Sequence, residues 1–413
     1  MTNKINTAFF TTSINLSSSK KTIGNDFMIT LIYAMVSYLM SWMMSFIPNH
    51  FLKRFRWCPT SFEELDEAEK NILSYVKKPF VAEYVNIGTE WGYNDSDIKI
   101  WTLKMNTTSR QTPLVMIHGF ASGVGLWIMN LDVLSTNCPV YAFDLLGFGK
   151  SSRPKFSKDA IEAENQFVCS IEAWRKKLGL QKFFLLGHSL GGFVAAAYAL
   201  KHPDRVAHLI LCDPWGFPER PISMSHRYNL PTWVKVVVNF LRPFNPLASL
   251  RAAGPAGPIL LKRVRTDLRR KFSSVINDEE AIHNYLYHCN AQTPSGEVAF
   301  KAMTGEFGWA KQPMISRIDS LRPDVPITFI YGSKSWIDKQ TGILIKNSRL
   351  DSYVNVQVIQ RSGHHVYADQ PDYFNRLVRK ICNTDWQTTT GRVDSETEPS
   401  SADENAPERE SSE

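Results

Sequence analysis

From residue 80 onward, short apolar runs alternate with longer segments of helical periodicity. The runs at 80–88, 98–105, 113–118, 140–144, 183–187, 208–212, 327–331 and 354–359 are rich in Val, Ile, Leu, Phe and Tyr and predict eight strands. Most of the later runs are apolar throughout, the pattern of strands buried on both faces. Strands separated by helices form βαβ units, so the pattern predicts an α/β protein with a mostly parallel sheet. The alternation fails over 217–304, where FPERP opens a helical stretch between the sixth and seventh strands. We expect an inserted helical cap there, over the carboxyl ends of the strands where parallel sheets bind ligands. The core is then 57–216 and 305–385.

The two ends read differently. Residues 1–26 are polar and rich in Ser, Thr and Asn, and are expected to be disordered. Residues 27–48 carry no charge, and as a helix would be long enough to cross a hydrocarbon core of about 30 Å. Thr30, Ser37, Ser41 and Ser45 dilute this run, so lying in the interface is as admissible as spanning it. Lys53, Arg54 and Arg56 follow at once and predict that the chain after them lies on the cytosolic side, although Lys20 and Lys21 flank the other end. The expected location is cytoplasmic and membrane-associated. Residues 386–413 form an acidic tail, also expected to be disordered.

Charge sharpens the picture. The chain carries +7, yet its tail holds eight acidic against two basic residues, which leaves the remainder at +13. A basic body suits anionic lipid; no nucleic-acid module is visible. Lys262, Arg263, Arg265, Arg269, Arg270 and Lys271 concentrate this charge in the insertion. The same composition would serve a solvated cationic helix pair. Six cysteines without a CxxC pair read as reduced, packed thiols.

The chemistry centres on GHSLG at 187–191, which follows the apolar run FFLLG and precedes the helical run LGGFVAAAYAL. Strand, sharp turn and helix are the context of a nucleophile elbow, so Ser189 is the candidate nucleophile. HGF at 118–120 ends the third strand run. A tetrahedral oxyanion needs two N–H donors, assigned to Phe120 in this loop and to Leu190 after the nucleophile. His118 itself is read as structural. The base should follow the last strand, where SGHHVYADQP offers His364 and His365; His364 is preferred. The acid should follow the penultimate strand. Ser335 stands where an Asp is usual, so Asp338 is chosen, with Asp213 after the sixth strand as its rival. No metal constellation or dinucleotide fingerprint is visible, and no cofactor is expected.

WCPTS, PVYAFDLLGFGKSSRP, GHSLGGFVAAAYAL, PWGFPERP, FNPLA, YHCNAQTPSGE and HHVYADQP together make the resemblance specific, over about 57–385. The chain resembles the α/β-hydrolase subfamily of abhydrolase-domain proteins four and five, which pairs an N-acyl-phospholipid lipase with a lipase coactivator. The coactivator branch has asparagine at the nucleophile position, and Ser189 aligns this chain with the lipase branch. The resemblance implies a serine lipase acting on acyl esters of N-acyl-phosphatidylethanolamine or a lysophospholipid. It leaves open a scaffold or coactivator that works with another lipase or a droplet-coat protein. A lysophosphatidic acid acyltransferase is also open, because His364 and Asp369 fit the family's HxxxxD pattern. The 27–48 run and the acidic tail depart from the family pattern.

Overall fold

The computed structural model describes residues 57–93, 97–220 and 245–386. The expectations for 1–26, 27–48 and nearly all of 386–413 lie outside the described residues, as does 221–244 of the insertion. Among the described residues no helix is long and apolar enough to cross a membrane.

All eight apolar runs become strands: β1 Phe80–Asn86, β2 Lys99–Met105, β3 Leu114–Ile117, β4 Val140–Phe143, β5 Phe183–His188, β6 Val206–Cys212, β7 Ile327–Gly332 and β8 Val354–Ile359. They form one sheet in the order β1-β2-β4-β3-β5-β6-β7-β8. β1 and β2 pair antiparallel, as do β2 and β4; every later pairing is parallel. β3, β5 and β7 are buried along their whole length, which explains why their sequences show no polar alternation.

Successive residues still serve different faces. Val115, Ile117, Leu185, Leu209 and Phe329 belong to one core layer, and Leu114, Met116, Leu186, Ile210 and Ile330 to the other. Helix α1 (Phe62–Leu73) begins at Ser61, whose hydroxyl accepts from the Glu64 N–H at 3.1 Å. Helix α2 (Ala160–Lys177) is capped by Asp159 and closes on Arg175, Lys176 and Lys177, a charge order that suits the helix dipole. Helix α3 (Leu190–Lys201) is buried from Leu190 through Ala199, so it runs against the centre of the sheet.

Between β6 and β7 lie five described helices: α4 (Ala248–Ala252), α5 (Gly257–Val264), α6 (Asp267–Phe272), α7 (Ala281–Ala291) and α8 (Gly296–Met303). They make up the described part of the insertion that the sequence led us to expect as a cap. α7 packs against α1, with Tyr285 and Leu286 in the same core layer as Leu65 and Ile72. Much of the insertion's basic run is matched by carboxylates. Lys262 pairs with Glu280, Arg265 with Asp267, Arg269 with Glu279, and Lys271 with Asp267 and Asp369. This pairing removes much of the free positive charge that the run's composition implied. After β7 come α9 (Gln340–Ser348), α10 (Val366–Asp369) and the amphipathic α11 (Pro371–Asn383), which buries Phe374, Val378 and Ile381.

Candidate active site

Neighbouring parallel strands deliver the site residues at their carboxyl ends. β5 ends in His188 and Ser189 is the next residue, at φ 54°, ψ −118°. A left-handed φ is costly for a residue with a Cβ. It recurs at Ala121 (φ 56°) after β3 and at Asp213 (φ 46°) after β6, so three of the strand exits at the site are strained turns. Ser189 is anchored on both sides of its peptide. Its N–H donates to Cys212 O at 3.0 Å, and its carbonyl accepts from Gly192, Phe193 and Trp215.

The glycines of the elbow have a steric cause. A Cβ at Gly187 would lie 2.2 Å from Gly191 O, and one at Gly191 would lie 2.4 Å from His118 O. Strand, helix and the HGF loop therefore meet backbone to backbone. Gly119 sits directly on Ser189, since a Cβ there would lie 3.0 Å from Ser189 Cβ and 2.7 Å from His188 Nδ1. This contact brings the loop of Phe120 and the start of α3 at Leu190 to the same place as Ser189. His118 is a fixed structural histidine, as its sequence position suggested. Its Nε2 accepts from the Leu145 N–H at 2.9 Å, so Nδ1 carries the proton and donates to Gly119 O at 2.8 Å.

His364, after β8, presents Nδ1 to Asp213 Oδ2 at 2.6 Å. The choice of Asp338 as the acid is corrected by this geometry. Asp338 is exposed, and its Oδ1 accepts from the Gln340 N–H at 2.9 Å, where it begins helix α9. Asp213 is fully buried. Its Oδ1 accepts from the Gly332 N–H at 3.3 Å, and its Oδ2 also accepts from the Ser335 hydroxyl. The loop after β7 thus contributes a hydroxyl that supports a carboxylate from the neighbouring strand. Burial pushes the Asp213 carboxyl well up, and Ser335 and Gly332 oppose it by stabilising the anion.

Burial, then the cations of Lys271 and Arg265, push the His364 imidazole down, with Asp369 pulling weakly the other way. A neutral ring donating through Nδ1 leaves Nε2 with a lone pair, the state required of a general base. His365, the second candidate, has its ring 5.5 Å from that of His364 and 5.3 Å from that of His188, and does not meet Asp213. Two contacts to this segment were not read from the sequence. His188 Nε2 donates to the carbonyl of His364 at 2.9 Å, and Asp369 Oδ2 accepts from the Gly363 N–H at 2.8 Å. The placement of His188 inside GHSLG, beside Ser189, was the available signal for the first.

Aromatic rings surround these groups. Phe120 stacks on Phe300 of α8 at 4.3 Å, Trp215 lies 4.8 Å from Phe300, and Trp336 lies 5.1 Å from His364. The arrangement is polar at the strand ends and apolar around them, as a site for an acyl group would be. Among the described residues no group of three or more His, Cys, Asp or Glu could hold a metal ion.

Residues 112–371 match the family model described as the alpha/beta hydrolase fold. A (lyso)-N-acylphosphatidylethanolamine lipase of Bos taurus is 52% identical over 326 residues, which cover 79% of this chain and 93% of that protein. The human 1-acylglycerol-3-phosphate O-acyltransferase ABHD5 is 53% identical over 326 residues, 79% of this chain and 91% of that protein. Among solved structures, the naproxen esterase of Bacillus subtilis superimposes with a TM-score of 0.54 at 17% identity, covering 78% of this chain and 97% of that one, a likeness of fold. With its eight-stranded sheet, its elbow at Ser189 and these relatives, the chain belongs to the α/β hydrolase fold family.

Proposed function

We propose that this protein is a serine lipase that hydrolyses acyl esters of phospholipids, N-acyl-phosphatidylethanolamine or its lyso form, through an acyl-enzyme. The observation that carries the reading is the Asp213–His364 hydrogen bond, which fixes the imidazole tautomer; Ser189, held at the turn between β5 and α3, supplies the hydroxyl. His364 Nε2 takes the proton from Ser189 Oγ as that oxygen bonds to the acyl carbonyl carbon. The carbonyl oxygen becomes an oxyanion and is met by the N–H groups of Phe120 and Leu190. The protonated His364 then gives its proton to the leaving glycerol oxygen, the ester bond breaks, and the acyl group stays on Ser189. Water, deprotonated by His364, then bonds to the acyl carbon; the bond to Ser189 Oγ breaks, the fatty acid leaves, and His364 returns the proton to Ser189 Oγ. Phe120, Trp215, Phe300 and Trp336 supply apolar surface for the chain.

The names of the relatives support both this substrate class and a second reading, in which the hydroxyl of 1-acylglycerol 3-phosphate replaces water and accepts the acyl group. The uncharged run 27–48 supports placement at a membrane or droplet surface. Purified protein on vesicles of lyso-N-acylphosphatidylethanolamine tests the first reading. Fatty-acid release that disappears in Ser189→Ala is expected; no release by the wild type without a partner protein would contradict it in favour of a coactivator. Adding 1-acylglycerol 3-phosphate to the same vesicles separates hydrolysis from transfer by whether free acid or diacylated product appears.

A further inference from the structure

Asp369 closes α10, and its two oxygens face different elements. Oδ2 accepts from the N–H of Gly363, the residue directly before His364, at 2.8 Å. Oδ1 lies 3.3 Å from Nζ of Lys271, which stands on cap helix α6. Lys271 is held in turn by Asp267 Oδ2 at 3.2 Å, and Asp267 is held by Arg265. The Lys271 and Asp369 side chains are only 10% and 12% exposed, so water screens this pair poorly. Neither carboxylate oxygen of Asp369 is hydrogen-bonded to the His364 ring, whose Nδ1 is taken by Asp213. In HxxxxD the aspartate therefore holds the backbone in front of the histidine and a cation of the cap.

We infer that Asp369 is a positioning residue that couples the seating of the helical cap, through Lys271, to the placement of the base His364. The inference rests on the serine-hydrolase reading above. When the cap is seated, the ammonium fixes the carboxylate, the carboxylate fixes the Gly363 peptide, and the imidazole is aimed from there. From the other side, His188 holds the His364 carbonyl. A cap helix displaced by a lipid surface or a bulky substrate would release the carboxylate and with it the base. The site would then respond to cap position without any change in its catalytic groups.

The charged and titratable groups facing His364 are Asp213 from the β6 exit, Lys271 and Arg265 from the cap, Asp369 from α10, His188 from the elbow and the adjacent His365. Lys271 pushes the imidazole down and Asp369 pushes it up. Removing each should therefore move the acid limb of the rate profile in opposite directions, which a general loss of packing would not do.

The test uses the full-length chain with p-nitrophenyl butyrate, following kcat and KM against pH, together with the rate of fluorophosphonate labelling. Lys271→Met and Asp369→Asn should each lower kcat about tenfold with little change in KM for this small ester, since a misaimed base slows chemistry and not binding. The acid limb should move to higher pH in Lys271→Met and to lower pH in Asp369→Asn, and Lys271→Arg should restore most of kcat. Lys271→Met with wild-type kcat and an unmoved acid limb, in protein of unchanged Tm, would overturn the inference alone. Equal labelling of wild type and Ser189→Ala would remove the serine reading and this inference together.

Discussion

Nδ1 of His364 lies 2.6 Å from Oδ2 of Asp213, a residue 151 positions earlier that belongs to the loop after β6 and not the loop after β7. Asp213→Asn should lower kcat by about 10³–10⁴, because an amide in place of the carboxylate no longer holds the productive tautomer. Asp338→Asn should leave activity within about twofold, as expected for an exposed helix-start residue. Steady-state hydrolysis by the two purified variants checks this, and a large loss confined to Asp338→Asn would reverse the assignment. Stability should move the other way. The folded Asp213 carboxyl titrates above its ordinary value, so its contribution to stability is present at low pH and is lost as pH rises through the folded value. At neutral pH the neutral Asn variant should melt no lower than the wild type, which differential scanning calorimetry reads directly.

Ser335 donates to the same carboxylate oxygen, and this bond favours the anion. Ser335→Ala removes a downward influence on the Asp213 carboxyl, so the carboxylate is protonated at higher pH than in the wild type. The acid limb of kcat/KM should move to higher pH, and kcat on the plateau should fall by no more than about tenfold, the scale of one lost hydrogen bond to a charged group. A pH–rate profile of the variant decides the matter; an unchanged acid limb would mean that Ser335 does not tune the pair.

The elbow tolerates no added atoms. Gly191→Ala places a Cβ 2.4 Å from His118 O and 2.5 Å from Ile117 O, both backbone atoms that cannot turn aside. The variant should lose about 1–3 kcal/mol of stability or fail to fold, in line with overpacking of a close-packed interior. Urea denaturation measures it, with Gly92→Ala as a comparison, because a Cβ at that position meets nothing within 4 Å. Gly92 has a left-handed φ of 85°, so its substitution carries backbone strain alone.

Local chemistry was legible along the chain and pairing between distant loops was not. The eight strands were readable because burial on both faces leaves uninterrupted apolar runs, and their ends shifted by only a residue or two, as between 183–187 and Phe183–His188. The elbow at Ser189 was readable because a strand, a glycine-bounded turn and a helix are all local features. Asp213 and Asp338 both follow strands, and spacing alone does not say which loop reaches the imidazole. The deciding features are the left-handed turn at Asp213 and the full burial of its carboxyl. Ser335 at the usual acid position showed that the carboxylate had to come from elsewhere, and that sign fits Asp338 and Asp213 alike. The ion pairing of the insertion's basic run was hidden for a related reason. Its carboxylate partners, Glu279, Glu280 and Asp369, lie outside the run itself, one of them almost a hundred residues away.

The central claim is that Ser189 becomes covalently acylated with His364 as its base. Intact-protein mass spectrometry after exposure to an alkyl fluorophosphonate tests it most directly. The wild type should gain one phosphonyl adduct, mapped by peptide sequencing to Ser189, with the adduct absent in Ser189→Ala and slowed at least about a hundredfold in His364→Ala. An adduct on another residue, or equal modification of wild type and Ser189→Ala, would contradict the account.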